Sequence, residues 1–339
     1  MIIEMRKQAK EEEIQGVIDR VRKLGFEVQL NQGKEKTVIA VLGSGTGEVE
    51  TQIFEVLPGV EKVIRIMKPY KLASRDFKGE NTIVKVGDDI EIGGTEIVIM
   101  AGPCAVEDEK QVFECAQLVK KLGGKILRGG AFKPRTSPFS FQGLKEEGLK
   151  LLARAREETG LLIITEVMAP EDVPLISEYA DIIQIGTRNM QNYRLLEAAG
   201  KSGKPVLLKR GFASTLEEWL MAADYLLREN NSDVILCERG IRTFSSSTRF
   251  TLDLGAVPVV KEFSHLPVIV DPSHAAGNRK YVPDLSKGAI AVGADGLLIE
   301  IHPKPEKALS DGPQSLTFSD FSRLMGELKI LAKAIGREI

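Results

Sequence analysis

The sequence predicts an α/β protein: a closed (β/α)8 TIM barrel preceded by a small α+β unit of ferredoxin-like βαββαβ order. Three observations predict it. The chain has 339 residues, enough for a barrel of roughly 250 residues plus a further module. From about residue 95, eight short apolar runs alternate with amphipathic stretches, the pattern of a parallel sheet buried on both faces. Before that point, helical and strand spacing alternate over shorter segments.

In residues 1–68, Ile2 and Ile3 open a short strand. Ile14, Val17, Ile18, Val21 and Leu24 fall on one helical face, and Gly25 stops that helix. Strands are expected at Glu27–Leu30 and Thr37–Leu42, with Asn31-Gln32-Gly33 as the turn. A second helix is expected over Val49–Leu57, ended by Pro58-Gly59, and a last strand over Val60–Met67. The order is βαββαβ. Residues 68–75 (KPYKLASR) read as a linker and residues 82–92 as a hairpin, so that 69–94 joins the first unit to a barrel at 95–339.

The barrel runs are Ile97–Ala101, Lys125–Leu127, Leu162–Thr165, Ile182–Ile185, Val206–Leu208, Val234–Leu236, Val268–Val270 and Gly296–Ile299. No GxGxxG follows the first of them, which argues against a dinucleotide fold. Nearly every run leads into polar residues. In order these are Cys104; Arg128, Lys133, Arg135 and Thr136; Glu166; Arg188 and Asn189; Lys209 and Arg210; Glu238 and Arg239; Asp271 and His274; Glu300 and His302. Barrel active sites lie at the C-terminal ends of the strands, so these side chains should converge on one mouth.

Composition narrows the function. The chain is 43% apolar and 28% charged, as in ordinary globular domains, and its formal net charge is −2. No global field favours nucleic acid or an anionic membrane, so an anionic ligand needs a local basic cluster. Arg128, Lys133, Arg135, Arg188, Lys209 and Arg239 supply one. Crowded cations are costly unless something pairs them. Either Glu166, Glu238 and Asp271 pair with them, or a phosphorylated substrate does. No apolar run is long enough to span a bilayer, and the N-terminus lacks a signal-peptide core. Three cysteines do not make a disulfide framework, and a reducing cytoplasm is expected. Cys104, His274, Glu300 and Asp311 could together hold a borderline divalent ion such as Zn, Fe(II), Co or Mn. Their spacing does not decide it, since a lone cysteine is usually a small buried apolar residue and Asp311-Gly312 could be only a turn. Cys115 and Cys237 have less claim.

At these residues the chain resembles the 3-deoxy-D-arabino-heptulosonate 7-phosphate (DAHP) synthases. The resemblance rests on AGPCAVE (101–107), LRGGAFKPRTSPFSFQG (127–143), IIQIGTRNMQN (182–192), PVLLKRGF (205–212), ILCERGIRTF (235–244), VDPSHAAG (270–277), LLIEIHP (297–303) and LSDG (309–312). It implies condensation of phosphoenolpyruvate with erythrose 4-phosphate, the first step of the shikimate pathway. It implies Cys104, His274, Glu300 and Asp311 as metal ligands, and Arg128, Lys133, Arg188, Lys209 and Arg239 around phosphoenolpyruvate. Arg135 and Thr136 match the aldose-phosphate site, and Glu166 an acidic residue near the reacting centre. The first unit, with PYKLASR (69–75), resembles the ferredoxin-like extension of some of these synthases. That implies feedback inhibition by tyrosine or phenylalanine, and the family makes a homotetramer plausible.

Three rival readings follow. The octulosonate 8-phosphate synthases share the fold and act on arabinose 5-phosphate, but carry a K-A-N-R-S-like segment where this chain has Lys133-Pro134-Arg135-Thr136-Ser137. A Schiff-base aldolase could use Lys209. A non-catalytic amino-acid sensor would have little use for so complete a cationic set.

Overall fold

The computed structural model describes residues 1–33, 36–65, 68–135 and 137–339. They form two compact units, residues 1–81 with 263–265, and residues 82–262 with 266–339.

The first unit orders its elements as β1 (Ile2–Met5), α1 (Glu11–Lys23), β2 (Glu27–Gln32), β3 (Thr37–Leu42), α2 (Gln52–Glu55) and β4 (Val60–Ile64). Its antiparallel sheet runs β2-β3-β1-β4, so the fully buried Ile2 and Ile3 occupy a central strand. Helix α1 packs Ile14, Val17, Ile18 and Val21 on a core with Ile3, Ile39, Val41 and Phe54. Glu11–Glu13 sit in its first turn and Arg20, Arg22 and Lys23 in its last, each favoured by the helix dipole. Gly25 follows with φ 83°, as a helix-ending glycine should.

Two local expectations change. Asn31 and Gln32 are not a turn but pair with Val38 and Thr37, because the ladder with β3 extends to Gln32. Helix α2 is shorter than Val49–Leu57. Its ends close with bonds of the tighter type, Ile53 N to Glu50 O and Leu57 N to Phe54 O, while Val49, Ile53 and Leu57 still reach the core. Ile66 and Met67, expected to end the last strand, lie outside the described residues.

In the second unit, a hairpin of β5 (Val84–Val86) and β6 (Ile90–Ile92) precedes the barrel. The barrel strands are β7 (Val98–Gly102), β8 (Ile126–Arg128), β9 (Leu162–Val167), β10 (Ile182–Ile185), β11 (Val206–Lys209), β12 (Val234–Glu238), β13 (Val268–Val270) and β14 (Gly296–Glu300). Each pairs in parallel with the next, and β14 closes on β7 from Gly296↔Val98 to Glu300↔Gly102. Between and after them come α3 (Glu109–Leu122), α4 (Glu146–Thr159), α5 (Val173–Tyr179), α6 (Tyr193–Lys201), α7 (Leu216–Arg228), α8 (Ala256–Phe263), α9 (Pro272–Ala276), α10 (Val282–Ala291) and α11 (Phe318–Ala334). No helix among the described residues is long and apolar enough to cross a membrane.

The hairpin closes the N-terminal end of the barrel. Val84, Val86, Ile90 and Ile92 share one core with Val98, Ile126 and Ile182, each the first residue of its strand. Polar chemistry is thereby confined to the opposite mouth. Ile92 is fully buried. Ile92→Ala should cost about 2–5 kcal/mol, the usual range for a large aliphatic truncated in a core. Denaturant unfolding checks this, and a change below half a kcal/mol would mean that the hairpin is not part of the barrel core.

Candidate active site

Several strands run one or two residues further than their apolar runs predict, because the parallel ladder carries the chain through its first polar residue. Arg128, Lys209, Glu238 and Glu300 are thus the last residues of β8, β11, β12 and β14, and Glu166 lies inside β9. A strand residue has its direction set by the sheet, so these side chains are held more firmly than loop residues would be.

One cavity at this mouth is lined by Arg128, Lys133, Arg135, Glu166, Arg188, Lys209, Arg239, His274 and Asp311, all singled out in the sequence. Gln184, Phe212 and Arg249 also line it, although none of them stands out as a site residue in the sequence pattern. Gln184 left a signal, as a polar residue inside the buried strand β10. Arg249 left none, since it lies in a Ser/Thr-rich loop without periodicity. Thr136 lies outside the described residues.

Some of the cations are neutralised within the protein. Arg128 pairs with Glu300 at 2.8 Å and Lys209 with Asp271 at 2.6 Å. Arg210 turns away from the cavity to pair with Glu238 and Asp253, both at 2.9 Å. It is a structural cation. Among the described residues no carboxylate pairs with Lys133, Arg135, Arg188 or Arg239. Arg239 stacks over Phe250, 4.2 Å from the ring centre, and its buried Nε has no hydrogen-bond partner among the described residues. Burial pulls this guanidinium down from its ordinary range. An orphaned donor beside unpaired cations is what an anionic ligand would satisfy. Glu166 is the acid among them. Its Oε2 accepts from Gln184 Nε2 at 3.4 Å, and any side chain at Gly186 would collide with its carboxylate.

Beside these cations, Cys104, His274, Glu300 and Asp311 bring one ligand atom each to within 4.8 Å of one another. His274 Nε2 is 3.3 Å from Glu300 Oε1 and 3.9 Å from Asp311 Oδ2, and Cys104 Sγ is 3.3 Å from Asp311 Oδ2. The donors are themselves oriented. Asp271 Oδ2 accepts from His274 Nδ1 at 2.6 Å, which turns Nε2 inward. Gln314 Nε2 donates to Glu300 Oε2 at 2.6 Å, and Ser310 Oγ meets Cys104 Sγ at 3.1 Å. Burial, and after it Glu300, pushes the Cys104 thiol up to about 12. Burial lowers the pKa of the His274 imidazole, which favours the neutral form that ligates metals. Asp311 is held at about 2: burial by itself would raise it, but His274 and Arg249 outweigh burial. A mixed S/N/O set with fixed outer partners fits a divalent cation of the zinc, iron, cobalt or manganese kind. Cys115 and Cys237 are free and buried, outside this cluster.

The sequence profile of the DAHP synthetase I family matches residues 80–335, and that of the DAHP synthase ferredoxin-like domain matches residues 1–68. A phospho-2-dehydro-3-deoxyheptonate aldolase of Thermotoga maritima is 50% identical over 339 residues, covering 100% of both chains. The crystal structure of the Thermotoga maritima DAHP synthase superposes with a TM-score of 0.79 at 50% identity, over 99% of this chain and 98% of that one. A 2-dehydro-3-deoxyphosphooctonate aldolase of Desulfotalea psychrophila is 36% identical, over 74% of this chain and 95% of its own.

Proposed function

The chain belongs to the DAHP synthetase I family, and on that premise we propose that it is a metal-dependent DAHP synthase. It condenses phosphoenolpyruvate with erythrose 4-phosphate and water to give 3-deoxy-D-arabino-heptulosonate 7-phosphate and inorganic phosphate. The observation that carries this reading is one cavity lined both by carboxylate-free cations and by His274 and Asp311, two members of a four-donor cluster that could hold a metal. The heptulosonate relative is more similar, and over more of the chain, than the octulosonate relative. That favours erythrose 4-phosphate over arabinose 5-phosphate.

In the reaction, C3 of phosphoenolpyruvate bonds to the aldehyde carbon, water adds at C2, and phosphate leaves C2 to yield the keto acid. Cys104, His274, Glu300 and Asp311 would hold the metal, which when bound supplies Lewis-acid polarisation of an aldehyde oxygen. Arg128, Lys133, Arg188, Lys209 and Arg239 grip the carboxylate and phosphate of phosphoenolpyruvate, and Arg135, with Thr136, takes the aldose phosphate. Lys133 donates a proton to the new alkoxide. Glu166, through a water molecule, is the base for the attack at C2. The ferredoxin-like unit confers feedback inhibition by tyrosine or phenylalanine, and the enzyme works as a cytoplasmic homotetramer of the shikimate pathway.

The test is phosphate release from phosphoenolpyruvate before and after chelation. Release should require erythrose 4-phosphate, vanish on chelation and return with a divalent metal. Release with arabinose 5-phosphate alone would move the assignment to the octulosonate reaction. No release with either aldose, in folded and metal-loaded protein, would sink it.

A further inference from the structure

Neither Glu107 nor His302 touches the cavity, yet both are largely withdrawn from solvent beside it. Glu107 lies in the loop after β7, and His302 two residues beyond β14. The backbone N–H of Leu309 donates to Glu107 Oε1 at 2.8 Å. The Lys304 N–H donates to His302 Nδ1 at 3.0 Å. Nδ1 is therefore the acceptor nitrogen, the ring proton sits on Nε2, and Nε2 donates to Glu107 Oε2 at 3.4 Å. Glu107 is itself fixed. Its N–H donates to Oε1 of the buried Gln111 at 3.1 Å, whose Nε2 donates to Ala105 O at 3.1 Å.

Leu309 is a junction. While its N–H is held by Glu107, its carbonyl accepts from Arg135 at 3.2 Å. The next residue, Ser310, meets Cys104 Sγ, and the one after it is Asp311. Asp311 has φ 51°, a left-handed conformation that a non-glycine residue keeps only when its surroundings hold it. Leu309 offers little apolar anchoring, since the residue is 55% exposed. Polar bonds to its backbone add to the direct hold that Cys104 and Arg249 have on Asp311.

We propose that Glu107, backed by His302, is a positioning residue that latches the 302–311 segment at Leu309. The latch sets Asp311 as the fourth metal donor and, through the Leu309 carbonyl, the guanidinium of Arg135 for the aldose phosphate. This rests on the metal and aldose roles proposed above. One carboxylate outside the cavity thus couples two subsites within it. The physical reason is that segment 303–310 has no strand of its own to hold it. A backbone N–H tied to a fixed carboxylate replaces the ladder that directs Glu300.

The test compares full-length Glu107→Ala and Glu107→Gln with wild type, by equilibrium titration of the metal-stripped proteins with Co(II) and by steady-state kinetics. Glu107→Ala should weaken Co(II) binding by up to the roughly 10–100-fold that loss of a group bonded directly to a ligand costs. It should also raise KM for erythrose 4-phosphate more than KM for phosphoenolpyruvate. Glu107→Gln keeps an oxygen that can accept from Leu309 and gives up only the longer contact with His302, so it should recover most of both. Wild-type Co(II) affinity in Glu107→Ala overturns the latch, and so does a Gln variant as weak as the Ala variant. If Glu107→Ala does not fold, amide exchange at Leu309 in the wild type decides. Slow exchange supports the latch, and exchange at the rate of an unstructured peptide overturns it. Wild-type protein that binds Co(II) but releases no phosphate would defeat the functional reading, while the Co(II) comparison would still report on the latch.

Discussion

Lys133→Ala should lower kcat about 10²–10⁴-fold, the range that a positioned general acid contributes, while leaving the protein folded. Lys133 is buried, and its Nζ donates to Cys104 O at 2.8 Å and Cys104 Sγ at 3.1 Å, beside the donor cluster. No carboxylate among the described residues forms an ion pair with it, although Asp311 feels its charge. Removing a buried ammonium of this kind relieves a desolvation cost, so the melting temperature should hold or rise. Lys133→Arg separates the two roles of the side chain. The guanidinium keeps the positive charge but cannot give up a proton near neutral pH. It should therefore restore KM for phosphoenolpyruvate more than kcat. A kcat within tenfold of wild type in the alanine variant would remove Lys133 as the acid.

Asp271→Asn should destabilise the protein by about 3–5 kcal/mol, the cost of breaking a buried ion pair, and weaken metal binding about 10–100-fold. Asp271 is fully buried, and its Oδ2 accepts from both Lys209 Nζ and His274 Nδ1, each at 2.6 Å. Its Oδ1 accepts the His274 N–H at 2.9 Å. Burial alone would raise this carboxyl, but His274 and Lys209 hold it well below the usual range. Asparagine has one oxygen for three donors, and its NH2 would face an ammonium or a ring N–H. Lys209 would lose its counter-charge and His274 its orientation together. Denaturant unfolding reads the first loss and Co(II) titration the second. If metal affinity stayed at the wild-type value while stability fell, the carboxylate would serve Lys209 alone.

The pattern of the chain was enough to read the barrel and the mouth that carries its chemistry. A parallel strand buried on both faces must be apolar along its length, so the residue that ends each run shows where the barrel opens. Arg128, Lys209 and Glu300 could be placed there from the alternation alone. The same logic failed at Arg249, in a loop where no ladder imposes a period, and at Asn31-Gln32, whose turn-forming residue types mask the ladder they make with β3.

The candidate metal-donor cluster was not legible from spacing, because its members span residues 104 to 311. They meet because β13, β14 and β7 are neighbours in the closed barrel, so residues at and just beyond their C-terminal ends share one corner. Which cations stay free was equally undecided. The sequence determined the fold class, the polar mouth and the residue types available for phosphate and metal, since burial and periodicity act along the chain. The tertiary structure alone decided that Asp271 takes Lys209, Glu238 takes Arg210, and Arg239 is left with an orphaned donor. Pairing falls off within a few ångströms, and those distances exist only once strands far apart in sequence stand side by side.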